Sequence, residues 1–160
     1  MNLPIIRFGR PEERARLEEI QRRASLMWEE YRPYLLANPE AIELPLAQLR
    51  EGRVRVAELD GRMAGFAALL PKDGFCELDG LFVEPDLWGR GVGRALLADA
   101  LAIARADRAA AIETVANPRA EGFYYRLGFT VSGQAQTQFG PANRMTLSVT
   151  PLCPPRGQAR

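Results

Sequence analysis

One stretch decides the fold of this chain: Trp88-Gly89-Arg90-Gly91-Val92-Gly93-Arg94-Ala95-Leu96-Leu97. Its three glycines stand at every second position, after a predicted strand and before a predicted helix. Glycine lets backbone N–H groups approach a ligand closely, and a helix N-terminus carries a partial positive charge. Arg90 and Arg94 add full positive charges beside it. The stretch therefore predicts a turn that binds a phosphate-bearing ligand, although an isolated Gly-x-Gly also fits a simple tight turn.

The patterns before this stretch predict a sheet built from hairpins. Strands are predicted at 3–8, 53–59, 63–70 and 75–83. Asp60-Gly61 is a strong hairpin signal between the second and the third of them. Apolar residues at three- and four-residue spacing predict one amphipathic helix, with its apolar face at Leu17, Ile20, Ala24, Met27, Trp28 and Tyr31. Residues 41–51 fit either a second short helix or a mobile loop.

The patterns after the stretch predict a change of strand direction. A helix at 93–106 is followed by a short buried strand at 111–115, which implies a crossover and a parallel step. A helix at 118–127 ends at Gly128, and closing strands follow at 129–131 and 145–149 around a Gln- and Gly-rich loop. The predicted fold class is α+β, with a central mostly antiparallel sheet, one parallel step and flanking helices.

Length and composition favour one globular domain. The chain has 160 residues, of which 47% are hydrophobic and 26% are charged. We expect a single domain over 1–150 and a flexible tail over 151–160. Cys76 and Cys153 suggest neither a disulfide framework nor a metal site. Since neither a leader nor a membrane-length apolar run is visible, we expect a cytoplasmic location.

Charge and residue types exclude several classes of function. The formal net charge is +1, so nothing calls for a nucleic acid or membrane partner. The sequence contains no histidine, which excludes Ser-His-Asp catalysis and histidine-based zinc sites, and we expect no metal. Acid–base chemistry therefore falls to carboxylates, tyrosine, cysteine or Lys72, the only lysine.

Two common nucleotide-binding motifs do not fit the glycine-rich stretch. No Gly-Lys-Ser/Thr follows it, as in a P-loop, and it comes after a hairpin-built sheet rather than after a first Rossmann strand. It resembles instead the coenzyme turn of the GNAT superfamily of N-acetyltransferases, Arg/Gln-x-x-Gly-x-Gly/Ala, which residues 88–93 match. Only Trp88 departs from that motif, because it stands where the family has Arg or Gln.

A second segment supports the same resemblance. It reads Asn117-Pro118-Arg119-Ala120-Glu121-Gly122-Phe123-Tyr124-Tyr125-Arg126-Leu127-Gly128-Phe129 and is similar to the family's Asn-x-x-Ala-x-x-Phe/Leu-Tyr-x-x-x-Gly-Phe segment. The two motifs occur in the family's order. The resemblance covers residues 53–129 well and residues 3–8 loosely. It hardly covers residues 16–52, the region where members of the family differ by acceptor.

The resemblance implies an acetyl-CoA site and its residues. The strand at 75–83 would splay from its parallel neighbour, and the backbone of Leu81, Phe82 and Val83 would pair with the pantetheine arm. Asn117 would hydrogen-bond the coenzyme. Tyr124 would be the general acid, a phenol that is protonated near neutral pH and can donate to the departing thiolate. The residues implied for the phosphates are Gly89, Arg90, Gly91, Val92, Gly93 and Arg94.

The family's catalytic base is often a glutamate on the strand before the coenzyme turn. Glu77 is the first choice here, and Asp79 faces the same side of the strand because side chains alternate. Such a pair in a partly desolvated cleft would raise the pKa of at least one carboxyl group. Glu113 on the next strand is a third candidate, and water could also serve. Alternatively, Glu77 and Asp79 lie on a solvated sheet face or pair with arginines.

The predicted function is an N-acetyltransferase that moves an acetyl group from acetyl-CoA to a primary amine of an unidentified small-molecule or peptide acceptor. The alternative is a non-catalytic acyl-CoA-binding or sensor module. A protein that binds ATP or NAD at the glycine-rich turn is a third hypothesis. Trp28, Tyr31 and Tyr34 would either cover the acceptor or belong to the core. Exposed closing strands would allow a homodimer.

Overall fold

The structure is a computed structural model that describes residues 2–149. Within that range the strands are β1 Ile5–Phe8, β2 Val54–Leu59, β3 Arg62–Pro71, β4 Phe75–Val83, β5 Ala111–Ala116, β6 Thr130–Thr137 and β7 Gly140–Ser148. The α-helices of the same range are α1 Arg14–Leu26, α2 Arg32–Ala37, α3 Leu46–Arg50, α4 Val92–Ala106 and α5 Glu121–Arg126. The tail predicted at 151–160, with Cys153, lies outside the described residues.

The strands form one mixed sheet in the order β1-β2-β3-β4-β5-β7-β6. The β1–β2, β2–β3, β5–β7 and β6–β7 ladders are antiparallel. The chain reaches β5 through α4, and β5 pairs with β4 in parallel. This parallel ladder joins Phe75, Cys76 and Glu77 to Ala111, Ile112 and Glu113. The predicted fold class is confirmed, including the parallel step around the central helix.

The chain divides into two compact units. Of the described residues, the first unit comprises 2–70 and 78–99, and the second comprises 71–77 and 100–149. Both β4 and α4 therefore contribute residues to each unit.

The first unit has a core between α1 and the strands β2 and β3. Leu17 and Ile20 of α1 are fully buried against Val54, Val56 and Phe66. The two helix residues are three apart and so share one face of the helix. The predicted apolar face of α1 is therefore confirmed over its first two turns.

The helix α1 is shorter than the apolar spacing predicts. It ends at Leu26, and the N–H groups of Met27 and Trp28 bond carbonyl groups three residues back. Such bonds tighten the last turn of a helix. Pro33 then stands in the first turn of α2, a position that tolerates the missing N–H group. Residues 27–31 are therefore a connection between two helices and not part of one long helix.

Glycine marks the turns where the sequence predicts them. Asp60 and Gly61 between β2 and β3 both have positive φ, of 53° and 76°, as a two-residue type I′ hairpin requires. Gly128 follows α5 with a φ of 96°, which confirms the predicted helix end. In the region 41–51, the alternative of a short helix is the one observed, as α3.

In the second unit, the last two strands are longer than the sequence predicts. The strands β6 and β7 form one hairpin whose ladder runs from the Thr130–Thr146 pair to the Thr137–Gly140 pair. The prediction of a Gln- and Gly-rich loop around residues 132–144 is therefore wrong. Most of β6 is exposed, so its residues need little apolar alternation. Cross-strand pairing satisfies the backbone of polar residues such as Gln134 without leaving an apolar signal.

Gly65 lets β3 approach the end of β4 closely. A Cβ atom at this position would lie 2.5 Å from the carbonyl oxygen of Phe82 and 3.1 Å from the Cα of Val83. Both neighbours are backbone atoms and cannot rotate away as the end of a side chain could. The missing side chain of Gly65 therefore sets the course of β4 over residues 82–83.

We expect Gly65→Ala to lower the free energy of unfolding by about 2 kcal/mol, because overpacking against fixed neighbours costs roughly 1–3 kcal/mol. Urea unfolding of the purified protein measures this. Gly133→Ala on β6 is the matched control, because a Cβ there would meet nothing within 4 Å. Its effect should stay within about 0.5 kcal/mol. Equal losses in the two variants would contradict the role given to the close approach at Gly65.

Candidate functional site

The glycine-rich turn is an open backbone loop at the start of α4. Gly89 and Gly91 have left-handed φ values of 80° and 83°, and a Cβ on either would meet nothing within 4 Å. The first helical hydrogen bond runs from the Ala95 N–H to the Gly91 carbonyl. The N–H groups of the first turn of α4 consequently lack helical acceptors, as at any helix start. Helix geometry and the open loop together make this end of α4 suited to an anion.

Two exposed arginines accompany the turn. The guanidinium of Arg90 lies 3.7 Å from the carboxylate of Asp60, and the side-chain exposures of these two residues are near one half. Such a surface contact contributes little energy and leaves the arginine able to change partners. Arg94 is exposed on the first turn of α4. The predicted charges therefore do lie at the turn.

Trp88 joins the turn to the end of β4. Its indole Nε1 donates a hydrogen bond of 2.9 Å to the carbonyl oxygen of Val83. Its ring stacks on that of Trp28, with centroids 5.6 Å apart and an angle of 25° between the planes. The residue that departs from the family motif thus makes a polar contact of its own. The sequence shows no signal for this bond, because it depends on the three-dimensional path of residues 84–87.

Glu84 is a buried carboxylate that sequence analysis missed. It follows β4 directly and is only 2% exposed. Arg23 of α1 donates to both of its oxygens, with 3.1 Å from Nε to Oε2. The guanidiniums of Arg16 and Arg62 lie 3.6 Å and 4.0 Å from its oxygens. This ion pair, which also raises the pKa of Arg23, fastens α1 to the chain that leads into the glycine-rich turn.

The sequence contains one signal that could have found this cluster. Arg16 and Arg23 are seven residues apart and so lie on one face of α1. A pair of arginines at that spacing fits a solvated helix face equally well, and the sequence does not show which carboxylate they meet.

The residues predicted to pair with pantetheine are half-buried at the end of β4. The ring of Phe82 packs on Phe66, with centroids 5.4 Å apart. The side chain of Phe82 therefore serves the core of the first unit, and any ligand contact at this residue falls to its backbone.

Asp79 belongs to the first unit and is exposed. Its carboxylate lies 3.5 Å from the side-chain nitrogen of Gln48 on α3. Its exposure does not fit the expectation of a desolvated carboxylate at this position. Asp79 instead lies on the solvated face of β4, as the alternative interpretation predicts.

Glu77 lies in the second unit beside the only lysine of the chain. Its carboxylate is 3.5 Å from Nζ of Lys72, and its side chain is partly buried. Glu113 is its direct partner in the β4–β5 ladder, and the Glu113 carboxylate lies 3.5 Å from the hydroxyl of Thr146. Two of the three predicted carboxylates are therefore ladder partners, and Lys72 pairs with one of them, Glu77.

Tyr124 is 6% exposed and packs inside the second unit. Its ring meets Phe123 and Phe129 edge to face, with centroids 5.2 Å away in each case. Burial raises the pKa of its phenol to about 12, although a side-chain hydrogen bond with Thr114 opposes the shift. The hydroxyl is therefore protonated at all physiological pH values.

Asn117 caps the turn that leads into α5. Its side-chain oxygen accepts a hydrogen bond of 2.9 Å from the N–H of Arg119. Such a cap stabilises the start of a helical turn, and this structural role alone would favour asparagine at this position. The bond uses the amide oxygen and leaves the amide nitrogen of Asn117 as the donor that could face a ligand.

Two further findings concern residues 2–149 as a whole. No helix in that range is long and apolar enough to cross a membrane. Nor does the described part of the chain gather three or more cysteine or carboxylate side chains in a group that could hold a metal ion.

Comparisons with known proteins identify the family suggested by the glycine-rich turn. The acetyltransferase (GNAT) family profile matches residues 15–129. The peptidyl-lysine N-acetyltransferase YjaB of Escherichia coli is 41% identical over 59 residues, which are 37% of this chain and 39% of that protein. The chain thus aligns with about two fifths of the length of this curated relative.

Solved structures extend the likeness over most of the chain. The apo form of Escherichia coli YjaB has a TM-score of 0.68 and 26% identity, and the match covers 94% of this chain and 99% of that one. PaiA N-acetyltransferase from Thermoplasma acidophilum, solved with coenzyme A, has a TM-score of 0.75 and 21% identity. That match covers 92% of this chain and 99% of the other, and it shows a shared fold.

We expect Arg23→Met to lower the free energy of unfolding by about 1–3 kcal/mol, because it removes the main partner of a buried carboxylate while Arg16 and Arg62 remain. Adding Glu84→Gln should recover part of the loss, since no buried charge is then left unpaired. Urea unfolding of the parent, the two single variants and the double variant gives a double-mutant cycle. Arg22→Met, one residue away on α1, is the control. A double variant whose losses simply add would argue against the ion pair.

The raised pKa of Tyr124 predicts a loss of stability in alkali. Since the folded pKa is about 12 and the ordinary value is 10, the neutral phenol contributes fully below pH 10. That contribution is lost as the pH rises through the folded pKa. When the pH rises from roughly 9 to 12, the free energy of unfolding should therefore fall less for Tyr124→Phe than for the parent protein. The difference between the two falls should be about 2–3 kcal/mol. Urea unfolding at several alkaline pH values measures this, and Tyr125→Phe, 50% exposed in the parent, should behave like the parent.

Proposed function

The chain belongs to the acetyltransferase (GNAT) family, and from this premise we propose that it transfers an acetyl group from acetyl-CoA to a primary amine. The observation that carries the proposal is the open turn with left-handed Gly89 and Gly91 at the start of α4. A diphosphate suits such a turn, because N–H groups, the helix dipole and arginines converge there. A structural neighbour, PaiA N-acetyltransferase, was solved with coenzyme A, which supports the same ligand here.

In this proposal the donor is held mainly by backbone groups. The pyrophosphate accepts hydrogen bonds from N–H groups of residues 89–94, and Arg90 and Arg94 balance its charge. The backbone of Leu81, Phe82 and Val83 pairs with the pantetheine arm, as a β-strand pairs with an extended ligand. The side-chain nitrogen of Asn117 donates to the coenzyme.

The proposed chemistry is direct attack of the amine on the thioester. The amine must first lose a proton, and Glu77 is the proposed base, with Asp79, Glu113 or water as the alternatives. The amine nitrogen then bonds to the acetyl carbon, and the carbon–sulfur bond breaks. Tyr124 gives its proton to the departing thiolate, the nitrogen loses its second proton to solvent as the amide forms, and solvent returns a proton to Tyr124. The raised pKa keeps the phenol protonated until that step.

The acceptor is proposed from the relatives alone. YjaB is named as a peptidyl-lysine N-acetyltransferase and is 41% identical over the 59 residues that align. A lysine side chain in a peptide is therefore the first acceptor to test, followed by small amines.

A non-catalytic acyl-CoA sensor is the second candidate. One observation favours it: Tyr124 is 6% exposed and its hydroxyl already bonds Thr114. A phenol in that position must move, or be reached through a small displacement of its neighbours, before it can serve as an acid. The sensor hypothesis predicts coenzyme binding without transfer.

Transfer is tested by following thiol release from acetyl-CoA with a panel of lysine peptides and small amines. We expect Tyr124→Phe to lower kcat by about 10- to 100-fold with little change in the KM for acetyl-CoA, because the acid acts only in the chemical step. Glu77→Gln should lower kcat similarly and remove an ionisation from the pH–rate profile. Tyr125→Phe is the control for the loss of a hydroxyl.

Three outcomes separate the hypotheses. A protein that binds no acetyl-CoA in calorimetry refutes the proposed function. Binding without transfer to any amine favours the sensor. Transfer that survives both substitutions unchanged shows that the chemistry needs neither Tyr124 nor Glu77.

A further inference from the structure

The peptide group between Val83 and Glu84 is held on both sides. The carbonyl oxygen of Val83 accepts the 2.9 Å bond from the indole of Trp88. The N–H of Glu84 donates a 2.8 Å bond to the carbonyl of Ala64 on β3. A peptide group is planar, so two bonds at opposite ends fix its rotation. The last peptide of β4 therefore has one orientation.

Trp88 is the side chain that transfers this orientation to the glycine-rich turn. It directly precedes Gly89, and around Gly89 and Gly91 there is open space where a Cβ would stand. Leu87 and Val92, on either side of the turn, are buried. The indole bond closes the segment 83–88 into a ring, so the position at which the turn starts is tied to the end of β4.

The exposure of Trp88 sets it apart from a core residue. It is 41% exposed, although its ring stacks on Trp28 and its nitrogen is bonded. A tryptophan that served only packing would bury more of its surface. Its nitrogen instead bonds the end of β4, while a large part of its ring stays exposed.

We propose that Trp88 is a positioning residue for the donor substrate, which fixes the end of β4 and the start of the glycine-rich turn in one register. This inference rests on the proposed function, because it assigns pantetheine to the end of β4 and the phosphates to the turn. An acetyl-CoA molecule must satisfy both places at once. A rigid connection between them lowers the cost of ordering the site when the donor binds.

The kinetic test compares the same substitution at both tryptophans. Trp88→Phe keeps an aromatic ring but removes the N–H donor, and we expect the KM and the Kd for acetyl-CoA to rise about five- to tenfold, as for the loss of one hydrogen bond. The KM for the acceptor should not change. Trp28→Phe keeps a stacking ring and should change the donor constants by less than about twofold. An effect on folding alone would lower the thermal midpoint while leaving the donor KM unchanged.

Fluorescence gives a second measurement that does not depend on turnover. The chain has two tryptophans, so Trp28→Phe leaves Trp88 as the only one. Titration of this variant with acetyl-CoA should shift or quench its emission, because the ring borders the proposed donor site. This titration also decides the matter if Trp88→Phe fails to fold.

The outcomes distinguish the inference from the function on which it rests. If the parent protein does not bind acetyl-CoA, the proposed function fails. If the parent binds and Trp88→Phe binds equally well, the function stands and the inference is overturned. The same conclusion follows if saturating acetyl-CoA leaves the emission of Trp88 unchanged.

Discussion

The buried carboxylate of Glu84 is the constraint on which the rest of the first unit depends. A carboxylate that is 2% exposed is unfavourable unless it is paired, and Arg23 on α1 supplies the pair. Because the residue directly follows β4, the pair fixes where α1 lies against the sheet and where the chain leaves it. Because Gly65 has no side chain, β3 can approach the end of β4 closely, and the indole of Trp88 bonds the last carbonyl of β4. The glycine-rich turn begins from this fixed point.

Most of the fold could be predicted because its signals are local. Asp60-Gly61 specifies a hairpin by the φ values that only a few residue types adopt, and Gly128 specifies a helix end in the same way. The parallel step follows from the order strand, helix, strand. The errors lie where structure depends on contacts between distant residues. The hairpin of β6 and β7 is polar and largely exposed, so pairing and not apolar alternation holds it together. The apolar spacing also continues to Tyr31, but α1 ends at Leu26 and a new helix, α2, begins at Arg32.

The residues of the candidate site also divide into those that local sequence signals indicate and those that only folding brings together. The turn residues were identifiable because a left-handed backbone conformation restricts the amino acid at Gly89 and Gly91. Glu84 and Trp88 were not, because a glutamate before a proline and a tryptophan beside a glycine have ordinary surface interpretations. Their importance comes from partners on α1 and β4 that only folding brings near. Asp79 shows the opposite case, since strand alternation predicts its face correctly but not how much water that face meets.

Glycine occupies the three positions of the turn for different physical reasons. Gly89 and Gly91 are needed for conformation, since their φ values of 80° and 83° strain any other residue type. Gly93 lies within the first turn of α4, where every residue can adopt the backbone conformation and glycine is a weaker helix former than alanine. Conformation therefore does not explain Gly93. The proposed donor site offers a reason, because a residue without Cβ would leave its own N–H and those of its neighbours open to a bulky anion. If acetyl-CoA binds as proposed, the helix gives up some stability at residue 93 and gains room for the phosphates.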